Sequence, residues 1–446
     1  MKILWICNIV LPAIAEKLGL EVSHKEGWLA GLSGTILEHR LENQIELHVA
    51  YPVGNERRTG ELDAHVIPMP EYGEDAVLYG YGFYEDMSHA ENYDPGLEQR
   101  IGQIIDAVQP DVIHCFGTEY GHTLAAVKAC REKERVLVGI QGLCQVIAGA
   151  YMADLPEKVQ KSVTFRDWLK KDSIKMQQQK FALRGEREEA ILKIAGNVTG
   201  RTEFDRFYTE KCNPDAKYYF MNETLRSCFY EGKWKRETCE PHTIFLSQGD
   251  YPLKGLHYLL LAAGKLQEKY PDIRIKIAGN SLVNYRTLKD KIKISAYGKY
   301  LRCLLARQKL EDKVQFLGRL SPEEMKAQYL SAGLFVCCSS NENSPNSLGE
   351  AMLLGVPCVA ADVGGIPSIF YGGEDGILYP GFGPGRSLEE VVRALSLAIM
   401  QMWEHPEEQV RYSENGAKHA RITHDREKNY QKILEIYAEI AGTSKR

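Results

Sequence analysis

Two glutamates, Glu342 and Glu350, flank a Ser-Pro-Asn-Ser turn in the stretch NENSPNSLGEAMLLGVP, residues 341–357. Carboxylates accept hydrogen bonds from hydroxyls, and a helix start binds anions. Pro345 suits a first helical turn, because the N–H it lacks has no partner there anyway. The amides of Asn346, Ser347 and Leu348 would then point at an anion, with the helix dipole favouring negative charge. Ser347-x-x-Glu350 is also a capping-box pattern, in which Glu350 turns back on the Ser347 amide and Glu342 is a solvated loop residue. Taken alone, the stretch allows both readings. A second group for anions lies at Lys254-Gly255, between the strand HTIFLSQGD and the helix LHYLLLAAGKLQEKY. The lysine can neutralise phosphate, and the glycine lets the backbone approach closely. Paired with a second helix start in the same sheet, it makes a diphosphate clamp.

Such groups need strand ends to hold them. KILWICNIV, IELHVAYP, DVIHCFG and RVLVGIQG read as buried strands, alternating with helical stretches such as GLEQRIGQIIDAVQP and GHTLAAVKACREK. Glu71 to Pro95, rich in Tyr, Gly, Asp and Glu, reads as an irregular excursion. NPDAKYYFMNETLRSCFYEGKW reads as an aromatic connector. A second alternation follows, through the strands HTIFLSQGD, IRIKIAGN, KVQFLGR, LFVCCSS, VPCVAAD and GILYPG. Two closing helices run through LEEVVRALSLAIMQMWEH and EKNYQKILEIYAEIAG. The alternation predicts an α/β protein with two doubly wound parallel sheets. The expected domains are 1–238 and 239–425, with a helix over 426–446 packing back on the first. Ligands bind such sheets at the carboxyl ends of the strands, where the opening stretch sits.

The 446 residues are 44% hydrophobic and 26% charged, with a formal net charge of −5, which gives no global electrostatic case for nucleic acid. The 11 cysteines form no CxxC pair, and Cys337-Cys338 lie in an apolar strand, as expected of reduced thiols in a cytoplasmic protein. MKILWICNIVLP reads as a first core strand rather than a signal peptide. No apolar run approaches the roughly 20 residues that span a bilayer. The region after the first strand, ICNIVLPAIAEKLG, lacks GxGxxG, which counts against a dinucleotide oxidoreductase. There is no DxD motif and no His/Cys cluster of ligand spacing, so no metal or other cofactor is expected.

Glu342-x7-Glu350, followed by AMLLGVPCVAADVGGIP, resembles the signature of the retaining family-4 glycosyltransferases, which have the GT-B fold of two Rossmann-like domains facing across a cleft. LKG, KIAGN, FLGRLSPEEM, ENSPNSLGEAMLLGVP and DGILYP stand in the family's order. The N-terminal half matches more loosely, through KEGWLAGL and DVIHCFGTE. The resemblance implies roles for individual residues. Glu350 would accept from the ribose hydroxyls of a nucleotide, and Glu342 would bind hydroxyls of the transferred sugar. Lys254, Gly255 and the amides of Asn346, Ser347 and Leu348 would hold the pyrophosphate. Gly318 and Arg319 would lie beside the base. Gly27 and Trp28 would close the acceptor side, and His114, Thr118 and Glu119 would face the reacting centre. Glu342, Lys254 and His114 are thus the candidate catalytic residues. The family retains anomeric configuration by same-face attack, without a dedicated protein nucleophile. Two positions depart from its pattern. Gly249 stands where many relatives carry an arginine, five residues before Lys254. His114 is followed by Cys115 and Phe116 rather than by a second histidine.

The expected partners are a nucleotide-sugar donor, UDP-sugar first, and a saccharide or glycolipid acceptor, in polysaccharide or glycoconjugate assembly. Other enzymes on the same fold, a nucleotide-sugar 2-epimerase or a phosphorylase-like enzyme, are the nearest alternatives, together with an inactive sugar-nucleotide-binding relative. Residues 158–187 carry nine lysines and arginines interleaved with Val163, Phe165 and Trp168. They read either as a solvated helical face or as a peripheral contact with anionic lipid on the inner face of a membrane.

Overall fold

A computed structural model describes residues 1–21, 27–54 and 62–443. By its contacts the chain forms two units. Unit 1 comprises Met1–Gln145, Lys180–Leu225 and His424–Arg446, and unit 2 comprises Val146–Gln179 and Arg226–Thr423. The expected continuous first domain over 1–238 is therefore interrupted: Val146–Gln179 groups with unit 2.

Unit 1 is built on eight strands: β1 (Lys2–Ile6), β2 (Glu46–Val53), β3 (Asp63–Pro68), β4 (Val77–Tyr84), β5 (Val112–Phe116), β6 (Val136–Gly139), β7 (Asn197–Gly200) and β8 (Lys217–Phe220). Their order is β3-β4-β2-β1-β5-β6-β7-β8. Among the described residues, only β3, at an edge, runs antiparallel to its neighbour. The five residues of β5 are all buried, as a parallel strand covered on both faces requires. From β1 the chain adds β2 and then the antiparallel pair β3 and β4, with β4 inside, before it returns beside β1 with β5, so the order reverses between β1 and β5. The helix Arg426–Thr443 puts Tyr437 into this core, where its hydroxyl accepts from the Trp5 indole N–H at 2.9 Å.

Unit 2 carries β9 (Glu240–Leu246), β10 (Arg274–Ile277), β11 (Val314–Phe316), β12 (Ala332–Cys337), β13 (Cys358–Asp362) and β14 (Ile377–Pro380). The order is β11-β10-β9-β12-β13-β14, with every pairing parallel. Here the order reverses between β9 and β12.

Three segments differ from the sequence reading. The expected aromatic connector includes, near its start, β8 (Lys217–Phe220), paired parallel with β7. The expected excursion over Glu71–Pro95 contains β4, paired with both β2 and β3. Its glycines hid it, and they sit close to their neighbours: a Cβ at Gly80 would lie 3.2 Å from Ile67 and from Tyr51. A third late helix, Pro406–Thr423, lies between the two expected ones. It buries Gln409, Tyr412, Ser413, Gly416 and Ala420, an inner face of the right period but with little apolar character.

Candidate active site

The reversal of strand order between β9 and β12 is where a doubly wound sheet leaves a crevice for a ligand. The loops leaving these two strands are stitched together. Ser340 N–H donates to the Leu253 carbonyl at 2.8 Å. Gly255, at φ +71°, passes so close to Cys338 that a Cβ would lie 1.8 Å from its carbonyl oxygen. Only glycine satisfies both the left-handed backbone and that approach. The stitching brings Lys254 to Glu342, Nζ to Oε1 at 2.6 Å, and Ser339 Oγ donates to the same oxygen at 2.6 Å. The lysine and glutamate side chains are 18% and 12% exposed, which lets a ligand reach them while limiting solvent screening. Burial works against the Lys254 charge, but Glu342, with Tyr251, outweighs it and holds the ammonium above the ordinary lysine range. A glycine turn after β13 fixes the loop from behind. Gly365 N–H donates to the Glu342 carbonyl at 3.0 Å, and a Cβ at Gly364 would lie 2.0 Å from the same oxygen.

The helix Asn346–Leu353 starts beside this pair, with Pro345 as its N-cap and no side-chain cap. The capping-box reading therefore fails: Ser347 is inside the helix, and its carbonyl accepts from the Tyr329 hydroxyl at 2.9 Å. Leu348 is also corrected, because its N–H donates to the Pro345 carbonyl at 3.0 Å and not outward. Glu350 is buried and accepts from Arg226 Nε at 2.9 Å and Nη2 at 2.7 Å. Burial pushes its carboxyl up to about 7, and the guanidinium opposes that shift. Sequence reasoning missed Arg226, which comes from the presumed connector. The only signal was a basic residue among aromatics. At Gly249, a Cβ would lie 2.9 Å from Leu256 Cδ2, so an arginine there would displace that side chain. Gly318, at φ +79°, forms a two-way bridge with Gly279, and Arg319 beside it is exposed.

A second feature of unit 2 was not foreseen. A cavity of about 380 Å³ opens between Asp250–Pro252, the stretch Ser281–Tyr297 and Val146–Gln179. Tyr151 and Tyr251 stack across it, ring centroids 6.5 Å apart, and Arg166, Asp172, Asp290 and Lys293 line it.

In unit 1 the candidate acceptor-side residues separate. His114 is fully buried; its Nδ1 lies 2.7 Å from the Tyr437 hydroxyl, and burial alone lowers its pKa to about 3. It is a neutral core histidine, and its assignment to the reacting centre is withdrawn. Trp28 packs edge-on against Phe116 at 5.5 Å and is also core. Gly27 opens the helix Gly27–Glu38; Lys25 and Glu26 of the same motif lie outside the described residues. The Thr118 hydroxyl is committed to Glu188 Oε2 at 2.8 Å, a carboxylate that also accepts from the Cys144 and Gln145 amides. Glu119 sits at the β1/β5 reversal, and its Oε2 is buried without a hydrogen-bond partner. Burial raises its pKa, against the pull of Arg184. Near it, and unforeseen, His122 is held between Glu85 Oε2 at 2.5 Å and Asn8 Oδ1 at 2.9 Å. Asn8 follows β1 and Glu85 follows β4, so this relay also lies at the carboxyl ends of strands. Among the described residues, no group of three or more His, Cys, Asp or Glu could hold a metal ion.

Residues 232–419 match the family model described as glycosyl transferases group 1. This part of the chain is similar to that family. It is 27% identical over 191 residues to the D-inositol 3-phosphate glycosyltransferase of Corynebacterium urealyticum, covering 42% of this chain and 40% of that protein. It is 31% identical over 144 residues to the protein of the same name in Streptomyces bingchenggensis, covering 30% and 32%. The matches thus span well under half of these curated relatives. Sucrose-phosphate synthase from Thermosynechococcus elongatus shares the fold, at TM-score 0.69 and 14% identity over 99% of this chain and 100% of that one. Anabaena HepE, solved with UDP-glucose, does so at TM-score 0.62 and 15% identity over 98% and 100%. The chain therefore has the two parallel-sheet α/β domains of GT-B glycosyltransferases.

Proposed function

We propose that the protein moves a hexose-type sugar from a nucleotide-diphosphate donor, UDP-sugar first, to a saccharide or lipid-linked acceptor, with retention of configuration. The observation that carries this is the Lys254–Glu342 pair at the β9/β12 reversal, beside a helix start with no side-chain cap. When the sugar leaves, negative charge develops on the diphosphate. Lys254 and the first-turn amides of Asn346 and Ser347 are placed to stabilise it, the task a metal performs elsewhere. A phosphate drawing Lys254 away leaves Glu342 to accept from sugar hydroxyls, and the Glu350 carboxylate to accept from the ribose. In unit 1 the reading gives the acceptor side to Glu119 and the Asn8–His122–Glu85 relay. The free thiols fit a reducing compartment such as the cytoplasm. Among the described residues, no helix is long and apolar enough to cross a membrane.

The test is a thermal-shift and calorimetric screen of UDP-, GDP- and ADP-sugars. A donor at 100 times its dissociation constant stabilises by about 2.7 kcal/mol. A UDP-sugar is expected to shift the protein, and a protein indifferent to all three classes refutes the donor site. In turnover assays Lys254→Met is expected to lower kcat by about 10²–10³, the usual loss of one transition-state donor. A change confined to KM would instead make Lys254 a ground-state binding group.

A further inference from the structure

Two short helices of unit 2 are built inside out. In Phe165–Lys170 the inward groups are polar. Thr164 and Asp167 form a capping box, Asp167 also accepts from the Ala296 N–H at 2.9 Å, and Arg166 pairs with Asp172 at 2.6 Å. The outward groups are apolar: Phe165 is 59% exposed, Trp168 67% and Leu169 64%, with Val163 just before them at 57%. The helix Leu288–Lys293 packs against this one and repeats the pattern. Its capping box, Thr287 with Asp290, fixes its start, while Leu288 and Ile292, four residues apart, are 78% and 53% exposed. Six large apolar side chains from two chain segments thus share one region of surface. Such a patch on a folded protein marks a contact site, whereas single exposed apolar residues need no explanation.

The charges around the patch identify the occupant. Lys170, Lys171 and Lys175 flank it on one segment and Lys289, Lys291 and Lys293 on the other, all exposed. The Asp167 carboxylate accepts from the Thr164 and Ala296 amides, and the Asp290 carboxylate from the Thr287 amide. Apolar side chains ringed by lysines match a bilayer of anionic lipid, whose acyl boundary takes Trp, Phe and Leu while its headgroups attract ammonium groups. We propose that the helices Phe165–Lys170 and Leu288–Lys293 together dock unit 2 on an anionic membrane surface. This changes the surface expected from the sequence. The later part of the 158–187 run is not available, because Arg184 and Arg187 donate to the Glu119 carbonyl and Lys180 pairs with Glu91. The helix Leu288–Lys293, far downstream in the chain, takes its place. The cavity lined by Arg166, Asp172, Asp290 and Lys293 borders the same two helices, so a docked protein would hold a polar pocket near the headgroups. The proposal concerns the membrane alone and stands whether or not sugar transfer is the activity.

Flotation of the full chain with phosphatidylcholine vesicles, with and without about 30% phosphatidylglycerol, tests it. Wild type is expected to float with the anionic vesicles at low salt, with a blue shift of tryptophan emission that a Trp168→Phe variant lacks, and to remain behind with the neutral ones. The triple variant Trp168→Ser, Leu169→Ser, Leu288→Ser should lose at least about tenfold in vesicle affinity. Lys170→Glu with Lys289→Glu should do the same and lose the salt dependence. Circular dichroism and thermal melting check that the variants fold, which is expected because these side chains are exposed. Wild type that does not float, or variants that float equally, overturn the proposal. So does concentration-dependent self-association that the triple variant abolishes, since the patch would then join two copies of the chain.

Discussion

At the scale of single residues, the proposed donor site turns on two carboxylates in different surroundings. Glu342 lies against an ammonium and a serine hydroxyl. Glu350 is buried, and burial sets its pKa at about 7 despite Arg226. A carboxylate that accepts from ribose hydroxyls must be ionised, so donor binding favours the deprotonated form. Affinity for the nucleotide should therefore rise between pH 6 and pH 8 and then level off. Glu350→Gln should flatten that rise, as read by calorimetric titration across the range. A wild-type profile with no inflection near 7 would remove Glu350 from the ribose. Glu342, Lys254 and Glu350 stand out in the sequence because they fall in contiguous motifs, and the fold brings Glu342 to Lys254 and buries Glu350. Arg226 was not, since it lies 124 residues from its partner in a stretch with no period. His114 misled because a histidine at a strand end looks the same in sequence whether it faces solvent or core, and here Tyr437, 323 residues away, decides.

At the scale of elements, strands with steady apolar runs were readable. β4 and the helix Pro406–Thr423 were not, because glycine and polar residues occupy their buried positions. The stitching of loops is also invisible without the fold, and Glu188 shows how much depends on it. From the helix Ile174–Ile194 it accepts from Thr118 after β5 and from the Cys144 and Gln145 amides at the start of the helix Cys144–Ala150. Glu188→Ala would strand these donors in the interior, at a cost of about 3–5 kcal/mol. Glu188→Gln keeps an acceptor and should cost far less. Burial raises the Glu188 pKa to about 7. A carboxyl raised on folding contributes stability that is complete below its unfolded pKa, near 4.5, and is lost as pH rises through about 7. Urea melts of wild type should accordingly weaken from pH 5 to pH 8, and the Gln variant should weaken less. An equal slope in both would place the pH dependence elsewhere.

At the scale of the whole molecule, the two units are assembled differently along the chain. Unit 1 draws on three segments, and its core closes only when residues from His424 onward return. Unit 2 holds all six of its strands within Arg226–Thr423. The Tyr437 hydroxyl is the best single probe of that closure, because it serves both Trp5 and His114 inside unit 1. Tyr437→Phe keeps the ring and removes the oxygen, leaving the Trp5 indole N–H and His114 Nδ1 without their shared partner. Two buried unsatisfied groups cost about 2–4 kcal/mol together. The loss should fall on unit 1. With Trp168, Trp234 and Trp403 of unit 2 replaced by Phe, Trp5, fully buried beside the deleted oxygen, reports unit 1 by fluorescence, and nucleotide-sugar binding at the proposed donor site reports unit 2. In a urea titration the fluorescence transition should move to lower denaturant in the variant while donor binding holds to the wild-type midpoint. Adding donor should move the binding midpoint and leave the fluorescence transition in place. If one substitution lowers both midpoints equally, the units unfold as one cooperative body, and the return of the last helix to unit 1 would then stabilise the donor site as well.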